Sequence, residues 1–239
     1  MSYTFIFISN RLLIILENHI EYAQYYRTSS MKHRSTKSYL KRLIDVLLSM
    51  ILALLVLPVV FVAAVILLLV DGRPITFGQR RLGQNGRPFV CYKLRTMSKG
   101  ADEQLRDLLA KDSNAKRTWD HTGKLPADPR IHPLGAWLRR TSLDELPQLW
   151  NVIKGEMSLV GPRPIRSEEQ ELYGDAIRQC YLPLRPGLTG AWQVSGRSNL
   201  SYKRRVACDL DYAANWSMRR DLVILLQTVP AVLARDGAY

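Results

Sequence analysis

The longest apolar run in the chain lies near its N-terminal end. From Val46 to Val70 there are 25 residues without a charged side chain, and most of them are Leu, Val, Ile or Ala. A helix of about 20 apolar residues crosses the hydrocarbon core of a bilayer. A cleaved signal peptide would be shorter, closer to the N-terminus and followed by a small-residue site. The run therefore predicts a membrane helix.

Basic residues flank the run on both sides. They are Arg27, Lys32, Arg34, Lys37, Lys41 and Arg42 before it, and Arg73, Arg80, Arg81, Arg87, Lys93, Arg95 and Lys99 after it. Basic residues favour the cytoplasmic face of a membrane, so a spanning helix would place one cluster on the unfavourable side. Pro58, in the middle of the run, removes a backbone hydrogen bond and favours a kink. A re-entrant helix bent at Pro58 and a kinked spanning helix are the two alternatives.

The rest of the chain is divided around this run. Residues 1–40 are predicted to be a variable basic leader, and translation can start at Met1 or at Met31. Residues 41–72 are the membrane helix. Residues 73–239 are predicted to form one compact domain, because no internal repeat or flexible linker interrupts them.

A β-hairpin is predicted directly after the membrane helix. Asn85-Gly86 between two short β-prone runs is a strong hairpin signal. Alternation along the second strand places Val90, Tyr92 and Leu94 on one face and Cys91, Lys93 and Arg95 on the other. Lys93 and Arg95 are therefore two cations that point the same way. The alternative is that they form an ordinary solvated strand face.

The pattern beyond the hairpin is mainly helical. Residues 101–111 are predicted to be a polar helix, and residues 114–130 a loop-rich stretch. Residues 143–153 are predicted to be one helix, because their apolar positions recur every three or four residues. Residues 221–235 form an amphipathic helix that either lies in a membrane interface or packs in the core. The predicted fold is thus mainly α-helical with a small β-hairpin.

The charge of the chain adds to this picture. Its 239 residues include 34 Lys and Arg and 21 Asp and Glu, which gives a net charge of +13 and excludes an acidic disordered chain. Residues 1–99 carry 14 basic and 4 acidic side chains, whereas residues 100–239 carry 20 and 17. Cys91, Cys180 and Cys208 are odd in number and widely spaced, so neither a disulfide framework nor a zinc site is indicated. No histidine pair has metal-ligand spacing.

The densest group of chemically useful residues lies between residues 138 and 164. Ser142 and Glu145 fit a capping box, which would explain both as structural residues but leaves Asp144 without a role. Adjacent carboxylates at a helix N-terminus lie where phosphate groups also bind. One carboxylate of such a pair can act as a nucleophile while its neighbour holds a divalent cation.

Phosphate chemistry at such a pair also needs cations. Arg139 and Arg163 are the candidates. Arg163 stands between Pro162 and Pro164, which stiffen its backbone and can fix its guanidinium for bidentate contact with phosphate. Six other charged residues are either pocket residues or members of structural ion pairs: Asp128, Arg130, Arg185, Arg197, Asp209 and Asp211.

Six sequence motifs together resemble the bacterial sugar transferase family. They are Lys41-Arg42-Leu43-Ile44-Asp45, residues 92–97, residues 142–148, Gly161-Pro162-Arg163-Pro164, residues 185–190 and residues 192–197. The resemblance covers about residues 40–239 in order. Members of that family are monotopic phosphoglycosyl transferases that act on polyprenyl phosphate.

The resemblance implies an activity and a site. The family transfers a sugar 1-phosphate from a nucleotide diphosphate sugar to polyprenyl phosphate through a covalent aspartyl intermediate. Asp144 would be the nucleophile, Glu145 would hold Mg²⁺, and the predicted phosphate- or substrate-binding residues are Arg139, Arg163, Lys93, Arg95, Pro162, Pro164 and Arg197. The helix with Pro58 would be re-entrant, and the catalytic domain would face the cytoplasm at the inner membrane. This chain has Leu57-Pro58 where many relatives have Ser-Pro.

The resemblance also implies the partners. The expected ones are a UDP-sugar, undecaprenyl phosphate and membrane lipids, with no nucleic acid, and a homodimer is left open. Within the family the chain is most similar to galactose phosphotransferases that initiate exopolysaccharide assembly. Two other functions stay as alternatives: a non-enzymatic membrane-attached nucleic-acid or scaffold protein, and a membrane phosphatase with an aspartyl-phosphate intermediate.

Overall fold

A computed structural model gives the fold, and it describes residues 35–122, 125, 128–174, 177, 181–196 and 200–234. Three predictions lie outside these residues: the leader up to residue 34, the choice between Met1 and Met31, and the role of Arg197. The fold is mainly helical with two small two-stranded sheets. The predicted fold class is confirmed in this respect, although the second sheet was not predicted.

The N-terminal helix α1 runs from Ser35 to Asp71, 37 residues that include Pro58. Its first residues thus belong to the segment predicted as leader. A helix of this length measures about 55 Å. It is the one helix of the described residues that is long and apolar enough to cross a membrane. The helical assignment is continuous through Pro58.

One face of α1 packs on the rest of the chain from Lys41 to Asp71. Near its start, Lys41 pairs with Asp221 at 2.7 Å, and Asp45 accepts a hydrogen bond from Ser158 at 2.7 Å. Its middle and end pack on two hydrophobic clusters through Leu48, Leu52, Ala53, Val56, Val60, Ala63 and Leu67. The opposite face exposes large apolar side chains, so α1 has one protein-facing and one apolar exposed side.

The predicted hairpin is confirmed. Strand β1 (Thr76–Leu82) pairs antiparallel with β2 (Pro88–Leu94), with Thr76 opposite Leu94. Between them, Asn85 and Gly86 have φ values of 58° and 75°. Asparagine and glycine tolerate these left-handed values best, which explains why the Asn-Gly pair marks the turn.

Arg95, directly after β2, is buried and is not part of a solvated strand face. Its Nη2 donates to the carbonyl oxygens of Asp71 and Gly72, each at 2.8 Å, and pairs with the Asp71 carboxylate at 2.7 Å. A cation at a helix C-terminus satisfies carbonyl groups that have no partner within the helix. These contacts tie the end of α1 to the hairpin.

We expect Arg95→Met to lower the thermal unfolding midpoint of the detergent-solubilised protein. Loss of one partner from a buried ion pair costs about 3–5 kcal/mol in measured cases, and Asp71 is partly exposed, so the lower end applies. Thermal unfolding of Arg95→Met and of Lys99→Met, a nearby exposed cation, is the comparison. Equal midpoints for the two variants would contradict this structural role for Arg95.

The segment after the hairpin is more helical than the sequence predicted. Helix α2 (Ala101–Lys111) lies where it was expected. The loop predicted over residues 114–130 is wrong for its first part, because helix α3 spans Ser113–Thr122. The Asp112 carboxylate accepts hydrogen bonds from the backbone N–H groups of Asn114 and Ala115, at 2.8 and 3.0 Å. A side-chain acceptor at this position favours the start of a helix.

The single helix predicted over residues 143–153 is also wrong. Helix α4 (Pro133–Arg140) is followed by a 3₁₀ turn over Leu143–Glu145, and helix α5 begins only at Gln148 and ends at Lys154. Pro147 caps α5, a position where its missing N–H costs nothing. Apolar residues recur every three or four positions through both the 3₁₀ turn and α5. The sequence pattern therefore did not distinguish one continuous helix from a turn followed by a helix.

The second sheet joins two of the sequence motifs. Strand β3 (Ser158–Val160) pairs in parallel with β4 (Gly187–Thr189). A Cβ on Gly161 would lie 2.5 Å from the Arg185 carbonyl oxygen, and one on Gly187 would lie 2.1 Å from the Gly161 nitrogen. The two backbones approach too closely for any residue with a Cβ, which accounts for a glycine in each motif.

Three helices complete the fold: α6 (Ala191–Val194), α7 (Tyr202–Ala214) and α8 (Met218–Leu233). On α8, Ile224 is buried, whereas the larger part of the apolar stripe is exposed, namely Leu222, Val223, Leu226, Val229 and Leu233. Core packing therefore does not explain the stripe. The exposed faces of α1 and α8 are of the kind that a membrane interface covers.

Candidate active site

The two adjacent carboxylates lie in the 3₁₀ turn between α4 and α5. Ser142 before them has φ 56° and makes no side-chain cap, so the predicted capping box is wrong. The left-handed Ser142 ends the preceding helix and redirects the chain. Asp144 is consequently turned inward, with 7% of its surface exposed, while the Glu145 side chain is 39% exposed.

Glu145 is held by Lys93 from strand β2. Lys93 Nζ lies 2.5 Å from Glu145 Oε1. Asn151 holds α5 against β2, because its side-chain amide donates to the Val90 carbonyl at 2.7 Å and accepts from the Tyr92 N–H at 3.2 Å. The pair could not be read from the sequence, since 52 residues separate its members.

Asp144 has a shifted pKa. Burial and the negative charge of Glu145 raise the pKa of Asp144 to about 6. The positive charges of Lys93 and Arg139 act in the opposite direction. A pKa of about 6 leaves the carboxylate mostly ionised at neutral pH and makes it more basic than an exposed aspartate.

Lys93 responds to the same charges. Burial lowers the pKa of its ammonium group, but the charges of Glu145 and Asp144 outweigh burial and raise it overall. Lys93 therefore stays protonated at neutral pH. The cluster of two carboxylates and one ammonium group is held together by mutual attraction.

Arg139 is oriented by close packing of α4. A Cβ on Gly135 would lie 2.0 Å from the Thr96 carbonyl oxygen, so α4 contacts the backbone after β2 directly. Arg139 Nε then donates to Thr96 Oγ1 at 2.9 Å. The charge of Arg139 also acts on Asp144, so the structure brings these two predicted residues together.

Arg163 is held through its backbone. Its N–H donates to the buried Asp209 carboxylate at 3.3 Å, and its carbonyl accepts from the Tyr181 hydroxyl. Tyr173 also donates to Asp209, at 2.9 Å, and burial raises the pKa of Asp209 to about 7. Pro162 is fully buried. The Gly-Pro-Arg-Pro segment is thus held in place by hydrogen bonds to buried residues of the domain.

The remaining predicted residues are placed as follows. Arg95 is engaged by the end of α1, and its role in substrate binding stays a prediction. Pro58 is exposed on α1, and Pro164 is half-buried. Of the residues considered as ion pairs, Asp128 pairs with Arg130 at 2.6 Å and Asp211 with Arg220 at 2.5 Å.

The carboxylates suit one type of cation site. Within the described part of the chain no three His, Cys, Asp or Glu residues are grouped as metal ligands. Mg²⁺, however, commonly binds one or two carboxylates together with waters and substrate phosphates. The half-exposed Glu145 carboxylate beside Asp144 fits that kind of site.

An apolar groove of about 540 Å³ lies between α1, the hairpin and the segment from Leu146 to Ile153. Its lining includes Ala53, Val56, Leu57, Val60 and Ala64 of α1, Ile75, Leu94, and Leu146, Pro147, Leu149, Trp150 and Ile153. Leu146 directly follows Glu145, and Leu94 directly follows Lys93. The groove is therefore lined by α1 and by residues next in sequence to the charged cluster, while Asp144, Glu145, Lys93 and Arg139 are not among its lining residues.

Among the described residues one helix is long and apolar enough to cross a membrane, and the site groups two carboxylates with cations of the kind that bind phosphate. The sequence profile described as bacterial sugar transferase matches residues 36–235. The chain therefore belongs to the bacterial sugar transferase family and is an enzyme of the transferase class. The non-enzymatic alternative is accordingly wrong.

Several named proteins are similar over most of the chain. The exopolysaccharide production protein ExoY of Rhizobium meliloti is 47% identical over 199 residues, which cover 83% of this chain and 88% of that protein. The undecaprenyl-phosphate galactose phosphotransferase of Salmonella typhimurium is 44% identical over 211 residues, 88% of this chain and 44% of that protein. The UDP-galactose-lipid carrier transferase of Erwinia amylovora is 44% identical over 213 residues, 89% of this chain and 44% of that protein. The chain thus spans less than half the length of the latter two.

Proposed function

We propose that the chain transfers a sugar 1-phosphate from a UDP-sugar to undecaprenyl phosphate at the membrane and so initiates exopolysaccharide assembly. One observation carries the proposal: a buried carboxylate with a raised pKa lies within range of the charges of Arg139 and Lys93, and residues next to this cluster in the sequence line an apolar groove. The charged cluster suits a diphosphate, and the groove suits an isoprenoid chain. Names of the relatives support galactose as the sugar.

The reaction proceeds in two displacements. A carboxylate oxygen of Asp144 bonds to the sugar-linked phosphorus while the bond from that phosphorus to the bridging oxygen breaks, and UMP leaves with the electron pair. A phosphate oxygen of the lipid then attacks the same phosphorus, and the Asp144 carboxylate is regenerated. Splitting the transfer in this way lets the nucleotide product, UMP, leave before the lipid reacts.

The other residues bind and orient. Arg139 and Arg163 bind phosphate oxygens, and Lys93 holds Glu145 and lowers the repulsion between the two carboxylates. Glu145 and the donor diphosphate would hold Mg²⁺. When bound, this cation neutralises the pyrophosphate and stabilises the departing UMP.

A re-entrant α1 is part of the proposal. A spanning helix needs about 20 residues in the hydrocarbon core, yet α1 contacts the domain at intervals of three or four residues from Lys41 to Asp71. Pro58 is exposed on the face away from the domain, so a kink there bends the helix toward the domain. Both ends of α1 then lie on the cytoplasmic side of the inner membrane, with the catalytic domain.

Cysteine labelling tests this topology. We expect single cysteines introduced at Tyr39 and at Arg73, in a chain without its native cysteines, to react with a membrane-impermeant maleimide only after the cells are permeabilised. The positions flank the apolar run at its two ends. Labelling of one of them in intact spheroplasts would demonstrate a spanning helix.

The activity is tested with purified protein, polyprenyl phosphate and a panel of UDP-sugars. We expect UMP and a lipid-linked sugar phosphate to form in equal amounts, with UDP-galactose as the best donor. A different best donor would correct the sugar alone. Release of inorganic phosphate without a lipid product would indicate a phosphatase instead.

A further inference from the structure

An aromatic side chain of β1 lies beside the charged pair of the site. Phe77 and Lys93 are directly opposed in the antiparallel register of the hairpin. Side chains of directly opposed residues point to the same face of a sheet, with their Cβ atoms roughly 5 Å apart. The Lys93 ammonium group in turn lies 2.5 Å from the Glu145 carboxylate. Phe77 is therefore a neighbour of the charged pair, although the sequence contained no signal that singled it out.

The hairpin turns this face toward the domain. Phe89 and Cys91, which share the face with Phe77, are buried, whereas Val90 on the other face is exposed. Phe77 nevertheless keeps 53% of its surface exposed. A single exposed apolar side chain is common on protein surfaces, but this one is on the domain-facing side of the hairpin and next to a cation of the site. It offers a flat apolar surface to a ligand bound there.

A polar group accompanies the aromatic ring on the same face. Gln79 follows Phe77 by two residues along β1, so the two side chains point the same way. Arg81 Nη2 donates to Gln79 Oε1 at 2.6 Å, and Arg81 pairs with Glu169 at 3.3 Å. Because the carbonyl end of the Gln79 amide accepts this bond, its NH₂ end remains a donor, and none of the described residues accepts from it.

A flat ring and an amide donor together suit a heterocyclic base with carbonyl groups. Stacking on an aromatic side chain is a common way to bind the face of a base. Uracil offers such a face and carries carbonyl oxygens that accept hydrogen bonds from an NH₂ group. The UDP-sugar of the proposed reaction contains this base at the end of its diphosphate that is remote from the sugar.

The ligand of Phe77 is the soluble substrate rather than the lipid chain. Thr76 and Leu94 line the apolar groove, and they are partners in the same register. They are adjacent in sequence to Phe77 and Lys93, so their side chains point to the opposite face of the hairpin. The hairpin thus separates the groove from the face that carries Phe77, Gln79 and Lys93.

We propose that Phe77 stacks on the uracil ring of the nucleotide donor and that Gln79 donates a hydrogen bond to one of its carbonyl oxygens. This inference rests on the proposed function, because it assigns the base of the same donor. Both residues bind substrate and neither takes part in the chemical step. Arg81 and Glu169 are positioning residues, since they hold the Gln79 amide.

The test compares Phe77→Ala with Val90→Ala in the detergent-solubilised full-length protein. Both variants shorten an exposed apolar side chain of the hairpin, but Val90 lies on the opposite face. Calorimetric titration with UDP should show about tenfold to hundredfold weaker binding for Phe77→Ala, as expected when stacking on a base is lost. Val90→Ala should bind UDP like the wild type, and Phe77→Tyr, which keeps the ring, should do the same.

Gln79→Glu tests the amide separately. The carboxylate keeps an acceptor for Arg81 but has no N–H to offer a carbonyl oxygen. We expect UDP to bind this variant about tenfold more weakly than the wild type, as for a lost hydrogen bond. If Phe77→Ala does not fold, this comparison decides, and wild-type affinity of Gln79→Glu for UDP overturns the inference.

The other outcomes separate the inference from the proposed function. Equal UDP affinities of Phe77→Ala and Val90→Ala, in a protein that transfers sugar phosphate, overturn the inference alone. Unchanged affinity for UDP with weaker binding of UDP-galactose would place the sugar against Phe77 and also overturn it. Unchanged affinity for UDP with weaker binding to phospholipid vesicles would assign Phe77 to the membrane. A wild-type protein that shows the predicted UDP affinities but forms no lipid product supports the base site and contradicts the proposed function.

Discussion

Asp144→Asn is expected to lower the rate of sugar-phosphate transfer by about 10⁴-fold or more, the scale seen when a nucleophile is removed from a cooperating catalytic group. Asparagine keeps the size of the side chain but has no carboxylate oxygen to attack phosphorus. Formation of lipid-linked sugar phosphate by purified protein is the measurement. Substantial activity in this variant would remove Asp144 from the role of nucleophile.

Thermal unfolding of the same variant distinguishes loss of the nucleophile from misfolding. The folded-state pKa of Asp144 is raised to about 6, so its ionised form is disfavoured by the folded protein. The carboxylate therefore destabilises the fold at pH values above about 6, and this cost disappears once the pH falls below the unfolded-state pKa. Asp144→Asn should unfold at a higher temperature than the wild type at pH 8, with a smaller difference at pH 4.

Lys93→Met is expected to lower the rate at pH 7 by about 100-fold, the scale found when one preorganised electrostatic group is removed from an active site. Without the ammonium group, the charge of Glu145 acts on Asp144 unopposed by Lys93, and the pKa of Asp144 rises further above about 6. More of the nucleophile is then protonated at neutral pH. The measurement is the pH dependence of the transfer rate.

The direction of the pH shift distinguishes this explanation. The wild type should lose activity as the pH falls through about 6, because Asp144 must be ionised to attack. The acid limb of Lys93→Met should lie at higher pH, and its activity should recover in part near pH 9. Lys99→Met, an exposed cation outside the site, should keep the wild-type profile. A Lys93→Met profile with an unshifted acid limb would contradict the electrostatic role.

Local patterns predicted the elements that depend on local chemistry. Asn85-Gly86 needs left-handed backbone that few other residues adopt, so the hairpin followed from two residues. The apolar run of α1 is long enough to predict a membrane helix, but its pattern alone did not choose between a re-entrant and a spanning helix. The segment around Asp144 was different, because an apolar spacing of three and four residues fits both a helix and a turn followed by a helix. The left-handed Ser142 ended the helical geometry there.

Contacts between distant segments account for what was missed. The Lys93–Glu145 pair and the support of Arg163 by Asp209 join segments that lie far apart in the sequence. The short strands β3 and β4 have only three residues each, too few for a periodic signal. The stripe on α8 shows the same limit, since amphipathic spacing alone does not tell a core face from a membrane face.

The central claim is that Asp144 becomes covalently linked to a sugar phosphate. The direct measurement is mass spectrometry of protein incubated with UDP-sugar and without lipid, followed by rapid quenching and digestion. The account predicts a sugar-phosphate adduct on the peptide that contains Asp144, formed with release of UMP and removed when polyprenyl phosphate is added. An unmodified peptide, with UMP released only when donor and lipid are both present, would contradict it.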